Sequence, residues 1–181
     1  MEVVSSIDAS GDSTSGGGFS TIFTQPAWQK AAVDAYFALV DGTAIAPVPG
    51  YARAGRAFPD VSMAGTRYIA VVGGTLIGIG GSSLATPVFA AVISLINSAR
   101  YRAGKTSIGF LNQILYSNAP LFANDITIGR NKCTGLITCC EEGFEATAGW
   151  DPASGLGSID FRKFRNHMLS IAGISIPVEK P

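Results

Sequence analysis

Ser83 ends a glycine-rich turn, Gly78-Ile79-Gly80-Gly81-Ser82-Ser83, and stands at the head of a long apolar run from Leu84 to Ala103. A strand, a glycine turn, a serine and then a helix place a hydroxyl beside unpaired N–H groups and partial positive charge. An oxygen held there loses its proton more easily, and an oxyanion formed nearby is stabilised. Ser83 is the best placed nucleophile, with Ser82 one step early; a helix N-cap is the commonest reason for a serine in this pattern. A serine nucleophile needs a base. The single histidine, His167, lies beside Arg162, Lys163 and Arg165 and reads as a solvated residue near a helix end, not as a triad member. The base expected for Ser83 is therefore a carboxylate. Because glutamate titrates near ~4.3, such an enzyme works best in acid.

A second group of residues suits a metal. Asp125-Ile126 and Thr147-Ala148-Gly149-Trp150-Asp151-Pro152 lie at the two ends of a loop-rich region, residues 124–157. Hard cations take about six to eight oxygens from carboxylates and backbone carbonyls. Two aspartates and glycines that admit close carbonyl approach could supply them, although aspartate at a turn also serves plain turn chemistry. Between these segments lie Cys133, Cys139 and Cys140. Three cysteines with no nearby histidine make a poor zinc set. A disulfide from Cys133 to Cys139 or to Cys140 is expected instead, with one thiol left over.

The elements that must position these groups alternate. A helix is predicted from about Pro26, with Trp28, Ala31, Ala32, Ala35, Tyr36 and Leu39 on its apolar face, Pro26 in its first turn and Asp41-Gly42 as its stop. Asp60 to Met63 and Tyr68 to Val72 read as short buried strands, and Gly73-Gly74 turns the second into Thr75 to Ile79. Leu84 to Ala103 is the strongest helix. Its apolar residues surround the axis, which predicts burial of most of it, with Pro87 in the first turn. Helices follow from about Phe110 to Ser117 and from near Asp160, the last with Phe161, Phe164, Met168 and Leu169 on one face. Alternating strands and helices imply an α/β layered fold.

Composition narrows the function. With 181 residues, 47% apolar and 14% charged, the chain can build one domain with a core. Its net charge is zero and it has no basic run, which argues against nucleic acid or an anionic membrane as partner. No apolar run reaches the roughly 18–20 residues of a membrane span. The opening residues, MEVVSSIDASGDST, have neither a basic n-region nor an apolar h-region, so no signal peptide is read there. That start fits poorly with a disulfide, which needs an oxidising compartment, and the natural start of the mature protein is expected elsewhere.

The stretch Gly80-Gly81-Ser82-Ser83-Leu84-Ala85-Thr86-Pro87 resembles the nucleophile motif S-G-T-S-x-x-T-P of the sedolisins, the serine-carboxyl peptidases. Ser83 falls on the nucleophile, Gly80 replaces the first serine and Ser82 replaces the threonine. Ser15-Gly16-Gly17-Gly18-Phe19-Ser20 resembles the family's S-G-G-G-F-S, whose glycines let a substrate backbone pair closely, so Ser15, Gly16 and Gly17 are expected to bind substrate. Phe58-Pro59-Asp60-Val61 resembles Y-P-D-V, where Asp60 reads as a structural, paired carboxylate. The resemblance also implies one Ca²⁺, held by the carboxylates of Asp125 and Asp151 and the carbonyls of Ile126, Thr147 and Gly149, with a water in sixth place. Thr147 stands where the family often has glycine, and Asp151 to Gly157 resembles D-P-x-T-G-x-G.

The likeness runs over residues 15–181 and leaves residues 1–14 as a non-matching segment. It implies a subtilisin-like α/β fold, a mainly parallel sheet flanked by helices, incomplete on its N-terminal side. It further implies an acid-active endopeptidase or tripeptidyl-peptidase acting on peptides or proteins, secreted or held in an acidic lysosome- or vacuole-like compartment. The family's base pair E-x-x-x-D has no counterpart: Glu2 and Asp8 lie in a stretch with no helical pattern. Ser10-Gly11-Asp12-Ser13 is similar to the family's oxyanion-acid motif, but it abuts Ser15, and Asp12 reads as a loop acid. The chain alone is therefore expected to be nearly inactive, with the missing N-terminal part of a catalytic domain as its partner. Two other readings compete. One is a non-catalytic calcium-binding pseudo-peptidase with Ser83 as a cap. The other is a nucleotide-binding domain built on Gly78-x-Gly80-Gly81, against which stand the lack of a following lysine and of an acidic ribose ligand near Arg100-Tyr101-Arg102.

Overall fold

The computed structural model describes residues 3–6, 15–134 and 138–172. In chain order the elements are β1 (Val3–Ser6), β2 (Gly18–Thr24), α1 (Ala27–Val40), β3 (Gly55–Phe58), β4 (Val61–Ala64), β5 (Tyr68–Val72), β6 (Thr75–Ile79), α2 (Ser82–Arg102) and α3 (Leu111–Asn118). A 3₁₀ turn, Ala119–Leu121, then leads to β7 (Ala123–Asn124), β8 (Cys133–Thr134), β9 (Thr138–Cys139), β10 (Ser158–Ile159) and α4 (Phe161–Ser170). The central sheet has the order β1-β4-β10-β7. Strand β4 runs parallel to both β1 and β10, and β7 is antiparallel to β10. The remaining pairs, β2–β3, β5–β6 and β8–β9, are antiparallel. The fold is mixed α/β, and among the described residues only the central sheet is mainly parallel. Strand β1 gives the opening residues a place in that sheet which their composition did not suggest. Glu2, Asp8 and Asp12 lie outside the described residues.

Helix α1 buries a different face from the one its aliphatic spacing predicts. Gln29, Val33, Tyr36, Phe37 and Val40 point inward, whereas Leu39 is half exposed. The reason is an aromatic cluster: Phe19, Phe37, Tyr51, Phe144 and Trp150 stack or meet edge to face around Tyr36. Gln29 is buried because its amide completes β3, donating to the Ala57 carbonyl at 2.7 Å and accepting from the Ala57 N–H at 2.9 Å. Pro26 is the N-cap, one residue before the first turn. At the other end of the chain Asp160 caps α4 by accepting from Lys163 N–H, and Phe164 and Met168 are buried while Phe161 is exposed.

The expected burial of β5 and α2 is not seen. Val61 and Ser62 of β4 are buried, but Ile69, Val71, Val72 and Leu76 of the β5–β6 hairpin are largely exposed. Helix α2 packs on β1, β4 and α4 and buries only Ala85, Phe89, Ile96 and Arg100. These four form a single stripe; Leu95 on another side is 60% exposed. An all-round apolar composition signals burial only where layers stand on every side. Among the described residues α2 has layers on one side. The Cys133–Cys139 disulfide closes the β8–β9 ribbon and leaves Cys140 as the free, exposed thiol.

Candidate active site and cation cluster

Gly73 and Gly74 take positive φ and turn β5 into β6, which runs directly into the loop before Ser83. That loop is docked on the residue after β4: the Gly81 N–H donates to the Gly65 carbonyl at 2.6 Å. A side chain at Gly80 would meet the same carbonyl at 3.1 Å. Gly81, with φ 129°, is the N-cap of α2, and no side chain caps the helix. Ser82 and Ser83 are therefore its first two residues, and the cap reading of either serine does not hold. Ser83 is exposed, and its hydroxyl has no hydrogen-bond partner among the described residues. Because α2 starts at Ser82, Pro87 falls in the second turn. Having no N–H, it leaves the Ser83 carbonyl without its helical donor. The occupied Gly81 N–H also speaks against a phosphate cradle in this loop.

His167 is partly buried, contrary to the solvated position expected from its charged neighbours. Its ring lies 5.6 Å from Phe122, and its Nε2 is buried without a hydrogen-bond partner among the described residues. It borders a cavity with Trp28, Gln113 and Ser117 of α1 and α3, away from the head of α2. At the other glycine-rich segment, Ser15 is buried and its hydroxyl has no partner among the described residues. Gly17 backs onto Pro152, whose carbonyl oxygen would lie 1.6 Å from an added Cβ, whereas Gly16 has nothing within 4 Å. Gly17 is thus demanded by the chain's own packing, and Gly16 is the open position.

The two aspartate segments come together at one end of the central sheet. Strand β7 leads straight into Asp125, β10 starts just after Gly157, and Asn124 pairs with Ser158. Gly157 permits this approach, because a Cβ there would lie 2.2 Å from the Asn124 carbonyl oxygen. Asp125 Oδ2 accepts from the Gly149 N–H at 2.8 Å. Asp151 is fully buried: Oδ1 accepts from the N–H groups of Ala153 and Ser154, and Oδ2 from that of Thr147. Burial outweighs these bonds and pushes its carboxyl up to about 6. Trp150 Nε1 anchors the segment by donating to the Pro59 carbonyl at 2.8 Å.

Ser154 is the residue that motif reasoning missed; its only signal was the hydroxyl position in D-P-x-T-G-x-G. Its Oγ lies 3.2 and 3.1 Å from the two Asp151 oxygens and 3.3 Å from the Ile126 carbonyl. One hydroxyl proton thus faces three acceptors. Asp151, Thr147, Ser154 and Ile126 therefore share one set of hydrogen bonds and Asp125 and Gly149 another, and the Asp125–Ile126 peptide joins the two. The side-chain groups of these segments that could face a metal are all oxygen, two carboxylates and the Ser154 hydroxyl, with the Ile126 carbonyl beside that hydroxyl. That donor set fits a hard divalent cation. No group of three or more His, Cys, Asp or Glu side chains forms among the described residues, so backbone carbonyls would have to complete the shell.

No protein-family profile matches the chain. Physarolisin of Physarum polycephalum is 43% identical over 154 residues, covering 83% of this chain and 26% of that protein. Tripeptidyl-peptidase sed1 of Aspergillus fumigatus is 38% identical over 168 residues, covering 87% of this chain and 25% of its own length. Tripeptidyl-peptidase 1 of Rattus norvegicus is 36% identical, with 88% and 28% covered. Among solved structures, Pseudomonas sedolisin, a serine-carboxyl proteinase complexed with two molecules of pseudo-iodotyrostatin, superposes with a TM-score of 0.61 at 27% identity. That likeness covers 86% of this chain and 37% of the sedolisin chain. The chain spans about a quarter of the length of the curated relatives it matches.

Proposed function

Because the chain belongs to the sedolisin family of serine-carboxyl peptidases, we propose that it carries the nucleophile and one Ca²⁺ site of an acid-active peptidase. The observation that carries this reading is Ser83 itself: exposed at the positive end of α2, with no hydrogen-bond partner for its hydroxyl among the described residues. Ser83 Oγ attacks the carbonyl carbon of a peptide or protein substrate while a carboxylate takes its proton. Collapse of the oxyanion breaks the C–N bond, the proton passes to the leaving amine, and water then hydrolyses the ester on Ser83. Ser15, Gly16 and Gly17 lie along the substrate, with the open Gly16 as the point of closest backbone approach. The activity is that of an endopeptidase or a tripeptidyl-peptidase in an acidic, oxidising setting, secreted or lysosome- or vacuole-like. The disulfide is consistent with that setting.

Asp125 and Asp151 would hold the cation through their carboxylates, with the carbonyls of Ile126, Thr147 and Gly149. Bound there, it offsets the charge of two carboxylates and fastens both ends of the 124–157 loop. The sequence holds no E-x-x-x-D pair, so the base for Ser83 comes from the rest of a sedolisin-type catalytic domain, and the 181-residue chain alone turns over substrate poorly.

The test is a chimera in which this chain replaces the matching stretch of Tripeptidyl-peptidase sed1, assayed for tripeptide release in acid. Activity is expected, with at least a roughly thousandfold loss of kcat in S83A. An S83A chimera as fast as its parent would overturn the nucleophile assignment. A chimera that binds Ca²⁺ but cleaves nothing would favour the pseudo-peptidase. An isolated chain as active as the chimera would remove the need for an outside base.

A further inference from the structure

Strand β4 touches both candidate sites. At Ser62, which is buried, the hydroxyl donates to the Ser154 carbonyl at 2.5 Å and the N–H donates to the Gly157 carbonyl at 3.0 Å. Just upstream, the Asp60 carbonyl accepts from the Leu156 N–H at 2.9 Å. At the other end, the Gly65 carbonyl takes the Gly81 N–H and fixes the turn that presents Ser83. With a strand rise of about 3.3 Å per residue, Ser62 and Gly65 lie roughly 10 Å apart along one extended segment. The cation cluster and the head of α2 are thus held to the two ends of the same short strand.

Ser154 is the junction on the cluster side. Its N–H binds Asp151, its hydroxyl faces Asp151 and Ile126, and its carbonyl binds Ser62. With no cation, its one proton is divided among three oxygens. If a cation were held by the Ile126 carbonyl and by Asp151 through Oδ2, Oδ1 would be the one acceptor left to that proton, and the turn from Asp151 to Gly157 would be fixed with it. Packing does not require a hydroxyl at Ser62, since alanine would fill nearly the same space. Its hydrogen bond instead transmits the position of the turn to the strand.

We propose that Ser154 and Ser62 are positioning residues that carry the geometry of the Asp125–Asp151 cluster along β4 to the turn presenting Ser83, so that a bound divalent cation orders that turn. This rests on the Ca²⁺ reading given under Proposed function. Amide hydrogen exchange of the full 181-residue chain, followed by NMR during a Ca²⁺ titration, tests it, with binding measured separately by calorimetry. In the wild type, saturating Ca²⁺ slows exchange of the Gly81 amide about fivefold or more, the low end of ordinary couplings between sites. Ser62→Ala still binds Ca²⁺ but shows less than about a twofold effect, and Ser62→Thr, which keeps the hydroxyl, restores it. Ser154→Ala weakens Ca²⁺ binding roughly tenfold, as expected for a residue that orients ligands, and loses the effect even at saturation. Ile114→Val, a core change of similar modest cost away from β4, keeps the full response.

Ca²⁺ binding to the wild type without a change at Gly81 overturns this proposal alone, and a full response in Ser62→Ala overturns the role of Ser62. Absence of any Ca²⁺ binding overturns the cation reading and this coupling with it. The wild-type titration decides the matter even if a variant fails to fold.

Discussion

Replacing Asp60 with alanine should be among the most damaging single changes in this protein, and the structure sets the scale. The Asp60 side chain is fully buried, and Arg56 Nη2 donates to both of its oxygens at 2.8 and 2.7 Å. Tyr116 OH donates to Oδ1 at 3.0 Å and in turn accepts from Gln29 Nε2. The Arg56 side chain is itself only 19% exposed, so Asp60→Ala strands a mostly buried guanidinium. Removing one partner of such a pair costs about 3–5 kcal/mol, out of a total stability of roughly 5–15 kcal/mol. With a urea dependence of about 2 kcal/mol per molar, the midpoint should fall by about 1.5–2.5 M when followed by circular dichroism. The double variant Asp60→Leu, Arg56→Met fills the same space without charge and should lose less than either single variant. A loss below about 1 kcal/mol for Asp60→Ala, or a double variant that simply sums the singles, would refute the buried-pair argument.

Two further outcomes follow from the glycine-rich segment and the cluster. Gly17→Ala, whose Cβ would lie 1.6 Å from the Pro152 carbonyl oxygen, should lower stability by about 2 kcal/mol or more, and Gly16→Ala by under about 1 kcal/mol; thermal melts of equal midpoint would contradict this. In chelator, the raised carboxyl of Asp151 makes the cation-free fold most stable below about pH 4 and progressively less so as pH rises through about 6. At about 1.4 kcal/mol per pH unit the whole effect is on the order of 3 kcal/mol, and Asp151→Asn should flatten that part of the urea-midpoint profile.

Turn chemistry and motif spacing proved legible where a local rule governs them. Gly73-Gly74 makes the hairpin because both residues need positive φ, and Asp160 caps α4 because its side chain reaches the Lys163 N–H. Asp60 reads as a paired structural acid and is one. Burial was harder to read, because periodicity reports which residues are apolar and not where the next layer stands. Leu39 and Leu95 are apolar and exposed, whereas Gln29 and Arg100 are polar and buried because backbone carbonyls meet them. Helix α2 begins two residues before its apolar run because Gly81 supplies the extended corner, a backbone property that hydrophobic pattern does not report. Ser154 escaped for a similar reason. Its hydroxyl and carbonyl act through partners far away in sequence, Ile126 and Ser62, which only the fold brings near.

The β5–β6 hairpin has a practical consequence. Val71 sits opposite Leu76 and Ala70 opposite Ile77, so greasy side chains line both surfaces of a ribbon that pairs with no third strand among the described residues. Such a ribbon can zip onto another copy through its bare backbone edges. Purified on its own, the polypeptide should therefore self-associate as its concentration rises, and a lysine at position 71 or 76 is the simplest way to keep it in solution.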